Sequence, residues 1–282
     1  MIHKTTATDV LSVAEMNALQ RSNPETMFEV VDNNYGLYNL YTRLDQAPFN
    51  DVRVRRAMSL AIDRPGMVKD ILEGSASILA PIPWNELFDT KPGLDKLRYY
   101  RYDPTTARQL LKDAGYANGL KFKVNYYAYT ELARYIAVAL DNLKAVDVNL
   151  ELTPMDNTSF NAALRTRKYD TATFGVVFSG NSLDGAVYDS MNSKGQANYA
   201  GINDPEVDRL TAAQRVEMDQ AKRKDIIRQI FALEADQVWR IPFPRVKRIN
   251  YFSPKLHNYL YSLPMNNAQH LANNLDYIWL EP

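Results

Sequence analysis

Between residues 120 and 178 the spacing of apolar side chains switches back and forth between two and roughly 3.6, and this alternation limits the fold more than any other feature of the chain. Phe122, Val124 and Tyr126 alternate with Lys123 and Asn125, the pattern of a strand with one buried face. Leu132, Tyr135, Ile136, Ala139 and Leu143 then trace one stripe of a helix. Val148, Leu150 and Leu152 alternate with Asn149, Glu151 and Thr153, and a helix over 156–167 and a strand over 170–178 follow. This order predicts an α/β fold in which a mixed or parallel sheet is covered by helices.

The flanking sequence carries its own punctuation. Asp103 reads as an N-cap, Pro104 as the first helical residue, Ala107, Leu110, Leu111 and Ala114 as one face, and Gly115 as the stop. Asp204-Pro205 opens a helix through Val207 and Leu210, 222–238 is the longest helical run, and Ile241-Pro242-Phe243 returns as an extended segment. Upstream, residues 28–44 are aromatic and β-branched enough for strands, with Asn33-Asn34 and Gly36 as turn signals. From Asn50 or Asp51, Val54, Ala57, Met58 and Ala61 recur at helical spacing until Pro65-Gly66, where a break is expected. Val68, Ile71 and Leu72 form a further helical set ending at Gly74, and the proline-rich stretch 80–93 reads as a loop.

Composition removes several function classes. With 33 basic and 33 acidic residues in 282, the formal net charge is zero, which gives no electrostatic footprint for nucleic acid or an anionic membrane. No cysteine is present, so disulfides, thiolate metal sites and a cysteine nucleophile are excluded. His3, His257 and His270 stand in no metal-hydrolase spacing and read as surface or loop residues. The run Gly180-Asn181-Ser182-Leu183-Asp184 lacks the second glycine of a nucleophile elbow, and no glycine-rich phosphate loop occurs. No metal and no cofactor are expected, and an enzyme would need a cryptic carboxylate pair that no spacing demands. The start, Met-Ile-His-Lys-Thr-Thr-Ala-Thr-Asp, has neither the basic region nor the apolar core of a secretory signal.

Four segments carry a more specific wording. Residues 48–64 read Pro-Phe-x-Asp-x-Arg-Val-Arg-x-Ala followed by Ala-Ile-Asp-Arg. Tyr102-Asp103-Pro104 with Ala107, Leu110, Leu111, Ala114, Gly115 and Tyr116, then Asn203-Asp204-Pro205 with Asp208, then Arg240-Ile241-Pro242-Phe243 follow in order. Together they resemble the peptide- and nickel-type extracytoplasmic solute-binding proteins of ABC importers, over nearly the whole chain from about Asp9 onward. The resemblance implies a periplasmic-binding-protein-like (type II) fold of two lobes and places this chain in the C-terminal portion of a longer parent. It implies that residues 1–43 end an incomplete first lobe, 44–250 form the second lobe, and 251–282 return to the first. A periplasmic or cell-surface location is implied for the parent, with capture of a peptide or related small solute, delivery to a membrane permease, and a monomeric state. A chain holding only part of one lobe is expected to bind solute weakly or not at all.

Candidate solute contacts follow from two signals. Phe174, Val176 and Phe178 alternate on a strand that breaks into Ser179, Gly180, Asn181 and Ser182, and ligands in α/β proteins sit where strand ends meet loops. The resemblance adds Asp184, which matches by position an aspartate that pairs with a peptide's α-amino group, although Ser-Leu-Asp-Gly replaces the usual Tyr-Pro-Asp-Pro around it. A solvated loop aspartate is the competing reading. Trp84, in the proline-bounded loop, is the best aromatic candidate, with Trp239 and Trp279 read as packing residues. Tyr35, Tyr38 and Tyr41 lie near the expected crossing between lobes, as hinge packing or ligand contacts. Arg53, Arg55 and Arg56 read as a solvated or ion-paired helix face. The same fold could instead hold an oligosaccharide, an opine-like compound or a nickel complex.

Overall fold

The computed structural model describes residues 13–31, 36–70, 76–77, 87, 97–128, 130–178, 184–246, 248–257 and 279–281. In chain order the elements are α1 (Val13–Ser22), β1 (Met27–Val31), β2 (Gly36–Thr42), α2 (Val52–Ala61), α3 (Arg64–Asp70), β3 (Ala76–Ser77), α4 (Pro104–Asp113), β4 (Leu120–Tyr127), α5 (Thr130–Lys144), β5 (Val148–Met155), α6 (Asn157–Thr166) and β6 (Ala172–Phe178). A π-helical turn, Gly185–Asp189, follows β6. Then come α7 (Pro205–Val216), α8 (Gln220–Gln237), β7 (Arg240–Pro242), β8 (Arg245–Val246), β9 (Arg248–Phe252), β10 (Leu256–His257) and β11 (Trp279–Leu280).

The strand-helix-strand-helix-strand expectation is realised in a five-stranded mixed sheet of order β5-β4-β6-β2-β7. β4 runs parallel to β5 and to β6, whereas β2 runs antiparallel to both β6 and β7. From β4 the chain steps outward to β5, then returns across β4 to reach β6. Right-handed crossovers taken in opposite directions place their helices on opposite faces. Accordingly Leu132, Tyr135, Ile136, Ala139 and Leu143 of α5 pack with Leu120, Phe122 and Val124, while Phe160, Ala163 and Leu164 of α6 pack with Tyr41 and Tyr169. β2 lies inside this sheet, although it falls on the far side of the lobe boundary expected at residue 43.

The motif helix α2 lies on the α5 side, burying Val54, Ala57, Met58, Leu60 and Ala61. Asp51 is its N-cap, accepting a hydrogen bond from Arg53 N at 2.8 Å. Its end comes earlier than Pro65-Gly66. The helix stops at Ala61, and Asp63 accepts a 2.9 Å bond from Gly66 N, so the proline occupies the first turn of α3. Proline is well placed there, where its missing N–H would have no intrahelical partner. α4 behaves as its punctuation predicts: Asp103 accepts from Thr106 N at 3.0 Å, and Gly115 adopts φ +94°.

A second apolar cluster lies under α7 and α8, where Val207, Leu210, Ile227, Ile230 and Phe231 meet Val187, Met191 and Trp239. Beyond the main sheet, β1 and β9 form a separate antiparallel pair from Met27↔Phe252 to Val31↔Arg248. Trp239 is buried as expected. Trp279 is 51% exposed, its only ring contact among the described residues being a stack on His257 at 4.1 Å. Among the described residues its strand β11 pairs with β10.

Candidate functional site

The three parallel strands end at Tyr127, Met155 and Phe178, the antiparallel β2 begins at Gly36 opposite Phe178, and β7 ends at Pro242. All five therefore meet at one end of the sheet. β3 joins this end by pairing with β8, just past β7, and the β1–β9 pair continues from it. Because the chain steps outward from β4 to β5 and then returns across β4 to β6, the ends of β4 and β6 form a topological switch point, the place where open α/β sheets hold ligands. Tyr126, Tyr127 and Met155 are half-buried there, and Tyr127 stacks on Phe160 at 5.6 Å. Ala128 N donates to Met155 O at 3.0 Å, which closes the two strand ends together. Tyr127 and Met155 escaped the sequence reading as site residues, since only the crossover directions mark their position.

The N-terminus of α6 points to the same end but is filled by the protein itself. Asp156 accepts from Thr158 N at 2.9 Å and Ser159 N at 3.0 Å, and its carboxyl is held below the ordinary range chiefly by the Ser159 hydroxyl.

Of the residues singled out from sequence, Phe178 ends β6 at this site. Ser179, Asn181 and Trp84 lie outside the described residues, as do His3, His270 and Tyr35. Asp184 is described, and its carboxylate, 29% exposed, is paired within the chain. Its Oδ1 accepts from Gln214 Nε2 and from Arg215 Nε at 3.0 Å, and its Oδ2 from Arg215 Nε at 3.1 Å and Nη2 at 2.9 Å. The Arg215 guanidinium stacks over Tyr188 at 3.4 Å. The hydrogen bonds from Arg215 lower the Asp184 pKa below its usual value and raise that of Arg215.

The arginines of the motif divide. Arg53 pairs with Asp51, and Arg56 pairs with Asp236 and lies over Tyr99, as an ion-paired helix face would. Arg55 differs: it is 5% exposed and donates to Gln237 O at 3.0 Å and Phe49 O at 2.7 Å, with its pKa pulled down to about 10 by burial. Arg64, at the end of the motif, is fully buried and has no carboxylate partner among the described residues. It donates to Pro242 O at 2.8 Å, Ser59 O at 2.9 Å, Tyr100 O at 3.0 Å and Ser59 Oγ at 3.0 Å. These bonds hold α2, the turn before α4 and the end of β7 as one block beneath the strand ends.

A buried ion pair, Arg240 Nε to Glu234 Oε1 at 2.5 Å, sits beside Tyr41. Burial opposes the Arg240 charge, but Glu234 outweighs it and raises its pKa. Burial raises the Tyr41 phenol to about 12, and Asn39 Nδ2 donates to its oxygen at 3.1 Å. Tyr41 is thus a packing residue. Among the described residues no cluster of three or more His, Asp or Glu side chains could hold a metal ion, and no helix is long and apolar enough to cross a membrane.

Comparison with known proteins settles the family. The model for bacterial extracellular solute-binding proteins, family 5 (middle region), matches residues 3–199. The chain belongs to this family. Among its family 5 relatives, heme-binding protein A of Haemophilus influenzae is 33% identical over 81 residues, 27% of this chain and 14% of the relative. The glutathione-binding protein of Escherichia coli is 30% identical over 115 residues, 39% of this chain and 21% of the relative. The oligopeptide-binding protein AppA of Bacillus subtilis, solved with a nonapeptide, superposes with a TM-score of 0.77 at 17% identity over 97% of this chain and 56% of AppA. The family 5 chain thus has the type II periplasmic-binding-protein fold and spans about half the length of the solved structures it matches.

Proposed function

We propose that this family 5 protein is the solute-capturing component of an ABC importer. It holds a peptide or related small solute at the strand ends described above and passes it to a membrane permease from the outer side of the membrane. The observation that carries this reading is the convergence of Tyr127, Met155, Phe178, Gly36 and Pro242 at the end of the sheet from which the β1–β9 pair departs. A second lobe joined through that pair would face the strand ends across a cleft. Closure about such a crossing buries a solute between lobes without bond-making, which supports binding rather than turnover.

The participation of β2 on both of its edges supports a lobe running from about residue 36 to 246, with the paired strands as the crossing and 251–282 as the return. Relatives named for heme, glutathione and a nonapeptide favour flat or extended solutes with polar edges, which suits the half-buried Tyr126 and Tyr127.

Isothermal titration of the full-length protein with reduced glutathione, heme and a nonapeptide tests the reading. At least one probe should bind saturably and be recovered intact. Hydrolysis of a bound probe would overturn it, as would the lack of binding to all three together with no small molecule released on denaturing the purified protein.

A further inference from the structure

Asp184 stands where a carboxylate for a cationic solute group is expected, yet both of its oxygens are taken by residues of its own lobe. Arg215 meets it in a forked contact, and Gln214, fully buried, donates to the oxygen that also accepts from Arg215 Nε. The guanidinium is held from its other side by the Tyr188 ring, four residues after Asp184. Gln214 is itself fixed, its Oε1 accepting from Arg223 Nε at 3.1 Å. Val187 and Met191 of the segment that starts at Asp184 pack against Val207 and Leu210 of α7. The contact therefore joins two surfaces that already meet through apolar packing.

A forked guanidinium–carboxylate contact is among the strongest and most directional that side chains make. An ammonium group would have to displace it or share a charge already neutralised. We propose that Asp184 is a positioning residue, clamping the helical segment 184–191 onto the last turn of α7 through Arg215, and that solute recognition here does not draw on its charge. This inference rests on the solute-capture reading.

The two possible roles of Asp184 predict opposite signs for one variant. The full-length wild type, Asp184→Asn, Arg215→Met, Arg215→Lys and the Asp184→Asn/Arg215→Met double variant are purified alike, and the fraction carrying solute is read by native mass spectrometry. A clamp requires that Asp184→Asn and Arg215→Met both lower occupancy, that the double variant be no worse than either, and that Arg215→Lys restore part of the loss. If Asp184 contacts the solute, Arg215→Met frees the carboxylate, and occupancy holds or rises while Asp184→Asn abolishes it; that result overturns the proposal. A wild type purified without solute is first loaded with a probe that binds in the titration above, and binding of none of the three overturns the capture reading instead. Thermal melting of the same proteins then decides the clamp: a coupling of about two- to fivefold in the unfolding constant supports it, and additivity overturns it.

Discussion

Arg64→Lys keeps the charge and most of the side-chain length, yet the surroundings of Arg64 predict a loss at least as large as that of Arg64→Met. The guanidinium makes four hydrogen bonds at 2.8 to 3.0 Å in a fully buried site, three of them to the backbone carbonyls of Pro242, Ser59 and Tyr100. Methionine removes every donor but also removes a buried charge. Taking Pro242 O and Tyr100 O as left unsatisfied at about 1–3 kcal/mol each gives a gross cost of about 2–6 kcal/mol. Relief of a desolvation penalty of several kcal/mol offsets part of it, leaving a net loss of about 1–3 kcal/mol. Lysine retains the penalty, since an ammonium is hydrated more strongly than a guanidinium, and its single nitrogen cannot reach carbonyls that the planar fork reaches from three nitrogens. Its net loss is put at about 3–5 kcal/mol. Urea unfolding, followed by the fluorescence of buried Trp239 and by circular dichroism, measures both variants against the wild type. A lysine variant within about 0.5 kcal/mol of wild type would refute the reasoning, because it would mean that charge alone, without the fork, satisfies the site.

Two further changes test other parts of the structure. Burial raises the Tyr41 pKa from 10.0 to about 12, so its contribution to stability is intact below pH 10 and is lost as pH rises from about 10 to about 12. Urea midpoints of Tyr41→Phe should therefore fall less steeply than those of the wild type across that window, and parallel curves would contradict the assignment. At Gly195 a Cβ would stand 2.5 Å from Tyr188 O and closer still to Asp189 O, both rigid backbone atoms. Gly195→Ala should cost about 1–3 kcal/mol in the same assay, with local loss of amide protection around 188–197 in hydrogen exchange.

The parts of the fold legible in the sequence were those written in local spacing. Every residue of the stripe Leu132, Tyr135, Ile136, Ala139 and Leu143 is buried, and Asp103, Asp51 and Asp204 all cap the helices they introduce. Pro65-Gly66 misled because the same pair that ends one helix can sit in the first turn of the next, and only the Asp63 side-chain bond tells which. Arg55 and Glu234 were not read as buried because residue type argues for exposure. In hindsight, Glu234 continues the spacing of Ile227, Ile230 and Phe231 on the inner face of α8, a signal that its charge hides. Asp184 was found by position, but its partners lie on α7, thirty residues away in sequence, and no period encodes such a meeting.

The central place of β2 bears on how the polypeptide reaches this arrangement at all. Residues 36–42 leave the ribosome before either neighbour, since one edge waits for 172–178 and the other for 240–242. Until then the strand has open edges that could pair with another nascent chain. The sheet is thus completed by its most distant segments, which predicts slow acquisition of structure and a dependence on delayed pairing that the parallel strands 120–155 do not share. A protein of this design gains from a holding chaperone during synthesis, and its yield should drop with the speed at which chains crowd one another.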